Sequence, residues 1–126
     1  MEFIELNALF DTNIIVDYLN GIEHARTELR RYERVFISPI TFIEVLVGTP
    51  PLDEPAVRAF LARFSTKDLS PPTLEAAIRI RRDQRVRIPD ALVWAAAEVN
   101  GLILVTRNTK DFPPHHPGIR VPYSLS

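Results

Sequence analysis

The sequence predicts an α/β domain with a mainly parallel central sheet covered by helices on both faces. Short apolar runs alternate with stretches whose apolar residues recur at three- and four-residue steps, the signature of strands interleaved with helices. One of those runs, Leu102-Ile103-Leu104-Val105-Thr106, is continuously apolar, as a strand buried on both faces of a parallel sheet must be.

The elements follow in order. Phe3 to Phe10 is apolar and ends at Asp11-Thr12-Asn13, after which Ile14, Ile15, Tyr18 and Leu19 keep helical spacing until Asn20-Gly21: a strand, then a helix. Ile22, Ala25, Leu29 and Tyr32 continue that spacing, and Val35-Phe36-Ile37 forms a second strand. Ser38 is a good N-cap with Pro39 at the first helical position, and the helix it opens ends at Gly48. Val57, Phe60, Leu61 and Phe64 mark one face of the next helix. Asp68-Leu69-Ser70 is at most a very short strand, Pro71 to Arg85 is a long helix, and Pro89-Asp90 opens another that Asn100-Gly101 closes. A last short strand is expected near Ile119-Arg120-Val121.

With 126 residues, residues 1–126 are expected to form a single domain, and 46% hydrophobic with 25% charged residues is ordinary for a globular protein. The absence of cysteine excludes disulfides and thiolate metal sites. No run approaches a membrane span and the N-terminus lacks the basic start of a secretory signal, so a cytoplasmic protein without membrane contact is expected. A net charge of −1 gives no bulk attraction to nucleic acid, so any such partner must be met by local features.

Those features are acids. Asp11 directly follows the first strand and Asp111 lies just after the strand ending at Thr106, so a parallel sheet carries both to its carboxyl edge, where sites in such sheets form. Glu44 and Asp90 are lone carboxylates in apolar helical stretches. Two negative charges 4 Å apart repel by about 4 kcal/mol at an effective dielectric of 20, so converging carboxylates call for a cation. Carboxylate-only coordination suits Mg²⁺ or Mn²⁺, whose natural chemistry is phosphodiester hydrolysis. Each acid also has a structural reading: Asp11 as a helix cap, Glu44 in a capping box with Thr41, Asp90 against its own helix dipole, Asp111 as a turn residue.

Four segments resemble the motifs of PIN domains in their order: Leu9-Phe10-Asp11-Thr12-Asn13-Ile14-Ile15-Val16-Asp17-Tyr18-Leu19, Ser38-Pro39-Ile40-Thr41-Phe42-Ile43-Glu44-Val45-Leu46-Val47-Gly48, Ile88-Pro89-Asp90-Ala91-Leu92-Val93-Trp94-Ala95-Ala96-Ala97 and Leu104-Val105-Thr106-Arg107-Asn108-Thr109-Lys110-Asp111-Phe112. A stand-alone domain of this length is similar to VapC-type toxins in particular. The resemblance implies a three-layer α/β/α fold, endoribonuclease activity dependent on Mg²⁺ or Mn²⁺, a VapB-like antitoxin that masks the acidic pocket, and a homodimer. It makes Asp11, Glu44, Asp90 and Asp111 the metal-binding acids, with Thr12, Asn13 and Thr106 in support. Some relatives carry an acid where this chain has Asn108; the fourth acidic role then falls to Asp111, and Asn108 assists through its amide oxygen.

Arg107 is the best single candidate for a substrate phosphate, with pairing to a site acid as its other reading. Arg79, Arg81, Arg82, Arg85 and Arg87 are expected to form a solvated helix face, with phosphate binding near the acids as their other reading; Trp94 is expected to be core and His115-His116 to be exposed. Asp17 is expected to be salt-bridged or at the surface. Competing functions are a solitary PIN nuclease in RNA processing or decay, and a non-catalytic PIN-like module. An aspartyl phosphatase would need an acid where Asn13 stands, and a phosphoryl receiver would need paired acids that Phe10-Asp11-Thr12 lacks.

Overall fold

The computed structural model describes residues 5–125. The start expected for the first strand at Phe3 lies outside them. Eleven elements follow one another: β1 (Glu5–Phe10), α1 (Thr12–Leu19), α2 (Glu23–Leu29), β2 (Tyr32–Ile37), α3 (Pro39–Val47), α4 (Glu54–Leu61), β3 (Ser65–Thr66), α5 (Pro71–Gln84), α6 (Ile88–Val99), β4 (Ile103–Val105) and β5 (Ile119–Arg120). The five strands pair in the order β3-β2-β1-β4-β5, and every pairing is parallel.

The two-residue period of β1 sorts its side chains between two cores. Leu9 joins Leu104 and Ile119 beneath α5 and α6, where Ile80, Val93, Trp94 and Ala97 pack. Ala8 and Phe10 join Val105 on the opposite face, against Ile14 and Ile15 of α1, Ala25 of α2 and Val45 of α3. The result is the expected three-layer α/β/α arrangement. Trp94 is core, as expected, and meets the Phe112 ring edge-on with centroids 5.8 Å apart.

Several boundaries differ from the sequence expectation. β2 begins at Tyr32 rather than Val35, because Tyr32 is in register with Glu5 and buried, its hydroxyl donating to the buried Glu28 at 2.8 Å. Arg120 closes a bidentate pair on the same carboxylate at 2.7 and 3.1 Å, tying α2 to β5. The short strand lies at Ser65–Thr66, not at 68–70: the Lys67 N–H still donates to Ile37 at the end of β2, whereas Ser70 is occupied as the N-cap of α5. Phe64 falls beyond α4. Arg85 stops α5 in the left-handed region at φ 58°, which lets α6 start at Ile88 with Arg87 as its N-cap. His116 is partly buried rather than exposed: its ring packs edge-on to Trp94 and its Nδ1 accepts the Gly118 N–H. Among the described residues no helix is long and apolar enough to cross a membrane.

β1, β2 and β3 run outward in one direction and β4 lies on the other flank of β1, so the strand order reverses at the β1/β4 seam. In open parallel sheets the connections diverge at such a seam and leave a crevice at the carboxyl edge. Asp11 and Thr106, each the residue after its strand, open onto it. α3 reaches the same edge because Ser38 is buried and its Oγ accepts the Ile40 N–H at 3.1 Å, fixing the first turn. Ser38→Ala is expected to cost about 1 kcal/mol in urea unfolding, the usual loss for an N-cap.

Candidate active site

Asp11 is at once the N-cap of α1 and the most enclosed acid at the crevice, 5% exposed. Its Oδ1 accepts the Thr12 N–H at 2.8 Å; its Oδ2 accepts the Thr106 hydroxyl at 2.8 Å and the Asn13 amide at 3.1 Å. Its own N–H donates to Val105 across the seam at 2.9 Å. Three donors favour the carboxylate, yet burial outweighs them, and Asp90 and Glu44 add repulsion, so the pKa is pushed up to about 6.

The other acids come from three further elements. Glu44 projects from α3 and accepts the Thr12 hydroxyl at 2.7 Å, while the Thr41 hydroxyl lies 3.0 Å from that of Thr12. Glu44 is exposed, against the burial its apolar neighbours suggest, because α3 turns Thr41 and Val45 inward and leaves Ile43 and Val47 outside as well. Ser38 caps α3, so a Thr41–Glu44 capping box does not form. Asp90 sits in the first turn of α6; burial raises its pKa, Arg87 opposes the rise, and Asp111 and Glu44 add to it. Asp111 is held by Asn108: the Asn108 amide donates to its carboxylate at 2.9 Å and the Asn108 oxygen accepts its N–H at 3.1 Å. The Asn108 amide oxygen is thus engaged in holding Asp111.

Arg107 makes its pair with Asp17, an acid outside this set. Nε and Nη2 meet the two Asp17 oxygens at 2.7 and 2.9 Å, and the Tyr123 hydroxyl donates to the same carboxylate at 2.8 Å. The Asp17 hydrogen bond raises the Arg107 pKa above its ordinary value. Asp17, in the middle of α1, is only 4% exposed, so the pair fastens the loop after β4 to that helix. The Arg107 N–H adds a bond to Asn13 Oδ1 at 3.0 Å, and Asn13 in turn touches Asp11 and Thr106.

Arg87 is the site residue that sequence reasoning left among the arginines of the solvated face. Its Nε lies 3.4 Å from Asp90 and its Nη2 4.0 Å from Asp111. The available signal was its place three residues before Asp90, one helical turn away. The rest of the cluster is exposed as expected, and Arg79 pairs with Glu98.

The donor set consists of carboxylates with no sulfur or imidazole, which fits a hard divalent cation. Among the described residues no three histidine or acidic side chains are drawn together tightly enough to cage an ion outright.

The sequence matches the PIN domain family over residues 8–113. The chain belongs to the PIN domain family. PIN domains are nucleases. In fold this PIN domain is similar to a chain of a toxin–antitoxin complex from Klebsiella pneumoniae, with a TM-score of 0.88 and 37% identity over 94% of this chain and 99% of that one. It is similar to a chain of DNA-bound VapBC from Salmonella typhimurium at a TM-score of 0.76 and 28% identity, covering 91% of this chain and 96% of that one. A chain of FitAcB from Neisseria gonorrhoeae shares the fold at a TM-score of 0.74 and 21% identity, covering 94% and 99%. A comparison with curated proteins finds no match.

Two outcomes follow from the buried carboxylates of this PIN domain. Because the folded-state pKa of Asp11 is raised from 3.8 to about 6, its contribution to stability is present at low pH and lost as pH rises through that window. In metal-free urea unfolding, the stability difference between Asp11→Asn and wild type should move in favour of the variant by up to about 3 kcal/mol between pH 4 and pH 8. Arg107→Ala strands the buried Asp17 carboxylate and should cost about 3 kcal/mol or more, and Asp17→Asn in the same chain should recover part of that loss. A double-mutant cycle measures the coupling.

Proposed function

We propose that this PIN domain, acting as a single domain over residues 1–126, is a Mg²⁺- or Mn²⁺-dependent endoribonuclease and the toxin of a toxin–antitoxin pair. The observation that carries the reading is Asp11: a buried carboxylate of raised proton affinity at the sheet's switch point, facing the charges of Glu44 and Asp90. Once ionised, a carboxylate so enclosed costs the fold stability, and a cation would relieve that cost.

Asp11, Glu44, Asp90 and Asp111 would hold the ion. A bound ion would supply the acidity that turns a water into a nucleophile and the positive charge that offsets the charge building on the phosphodiester. The chain's own part is positioning. Thr106 and Thr12 orient Asp11, Thr12 also orients Glu44, and Asn108 holds Asp111. Asp11, with its raised pKa, would have to be ionised to hold the ion, so affinity for the metal should rise with pH through about 6.

The partner reading is supported by two relatives above 25% identity, both from toxin–antitoxin complexes. An antitoxin that places an arginine or lysine among the acids would supply the counter-charge that Arg87 supplies only from the rim. A groove of about 450 Å³ between α1 and α4, lined by Val16, Leu19, Pro50 and Val57, offers apolar surface to such a protein. The exposed Leu74, Ile78 and Ile88, beside Leu92, form a second apolar face suited to another copy of this chain, giving a homodimer. On this reading the protein works in the cytoplasm, where its RNA is.

Antitoxin-free protein incubated with structured RNAs in Mg²⁺ or Mn²⁺ should cleave them, leaving 5′-phosphate and 3′-hydroxyl ends because attack by water does not consume the 2′-hydroxyl. EDTA should abolish cleavage and Asp90→Asn should slow it on the order of a hundredfold or more. Cleavage that persists in EDTA, or that leaves 2′,3′-cyclic phosphates, would sink the reading.

A further inference from the structure

Beside the acids lies a wide, open cavity of opposite chemistry. It has a volume of about 390 Å³ and is lined by Asn13, Arg107, Asn108, Thr109 and Lys110. Lys110 precedes Asp111 in the chain, is exposed, and has no acidic partner within 4 Å among the described residues. Neither its backbone N–H nor the Thr109 hydroxyl has a protein acceptor among those residues.

The walls of this cavity are shared with the acidic centre. Asn13 stands between it and Asp11, donating to Oδ2 at 3.1 Å, and Asn108 stands between it and Asp111, donating at 2.9 Å. One side chain therefore separates a cluster of unpaired donors from each of two acids. The floor is rigid because both amides are spent on the acids and on the Arg107 and Asp111 backbone N–H groups. Arg107 contributes little free charge, since two of its N–H groups are committed to Asp17. The full, uncompensated positive charge belongs to Lys110.

An acidic centre repels the polyanion it would cut, so the neighbouring phosphates need a cation of their own within the same loop. We propose that this cavity is a phosphate subsite that takes the backbone phosphate adjacent to the scissile one, with Lys110 as its charge and Arg107 as a positioning residue that holds the loop through Asp17. This rests on the RNA-cleaving reading above. Lysine suits the position because a compact ammonium on a flexible stem meets a phosphate without requiring one base or one bidentate geometry. The subsite therefore adds affinity for any RNA strand and no base preference.

The test uses the full chain in the cleavage-deficient Asp90→Asn background, with a fluorescent single-stranded RNA oligonucleotide in EDTA and anisotropy read across a salt series. Lys110→Ala should weaken binding roughly five- to tenfold and lower the slope of log affinity against log salt by about 0.7, the value for one phosphate contact on a single strand. Lys110→Arg should restore both. With Asp90 intact and Mg²⁺ present, Lys110→Ala should raise KM and leave kcat within about twofold, the pattern of lost uniform binding. Unchanged affinity and slope in Lys110→Ala, with RNA still bound, would overturn the subsite alone. RNA bound by neither protein would overturn the subsite together with the reading beneath it. An unchanged thermal midpoint for Lys110→Ala excludes misfolding as the cause of any loss.

Discussion

The carboxylate of Asp11 sets the terms for the rest of the molecule. It is taken out of water at the seam between β1 and β4, where its oxygens are met by a backbone N–H, a hydroxyl and an amide, and where two further negative charges face it. Such a group is tolerated only if everything around it is fixed, because a small displacement of any donor leaves a buried charge less well solvated than before. The structure meets that demand in layers. Thr106 is held by its place after β4, Asn13 is held by the Arg107 backbone, and Arg107 is held by Asp17 and Tyr123. The paired charges lie one helical turn or more from the acids they serve and leave those acids free.

This division separates two kinds of ion pair in one small chain. Asp17–Arg107 and Glu28–Arg120 are enclosed, bidentate and braced by a tyrosine hydroxyl, Tyr123 in the first case and Tyr32 in the second. They join elements distant in sequence: α1 to the loop after β4, and α2 to β5. Arg87, by contrast, stands 75% exposed above Asp90 and Asp111 at distances too long for strong bonds. The Asp17–Arg107 pair fixes the loop after β4 at the crevice. The open one leaves its acids available.

Much of this was legible in the residues. Asp11 could be placed because an apolar strand ends abruptly at it, and Asp90 because Pro89 announces a helix start beside an apolar run. The layer assignment followed from short apolar runs alternating with helical stretches, one of those runs being the continuous one from Leu102 to Val105. What escaped was decided by contacts between distant residues: that Arg107 would turn to Asp17 rather than toward the acids, that Tyr123 would join them, and that Arg87 would lean over Asp90. Glu44 shows a different failure. Its apolar neighbours suggested burial, but Ile43 and Val47 are themselves exposed, so apolar composition around a helix did not report which face was covered. β3 could not be located because two residues carry no period; only its hydrogen bonds to β2 define it.

Both outer strands of the sheet, β3 and β5, are only two residues long. So brief an edge presents too few free backbone groups to recruit a strand from another chain, and recognition by strand addition is closed to this fold. Whatever binds must read side chains on the helices and loops. Those side chains can change without touching the sheet, so the outer surface can be remodelled while the interior is kept, at little expense to folding.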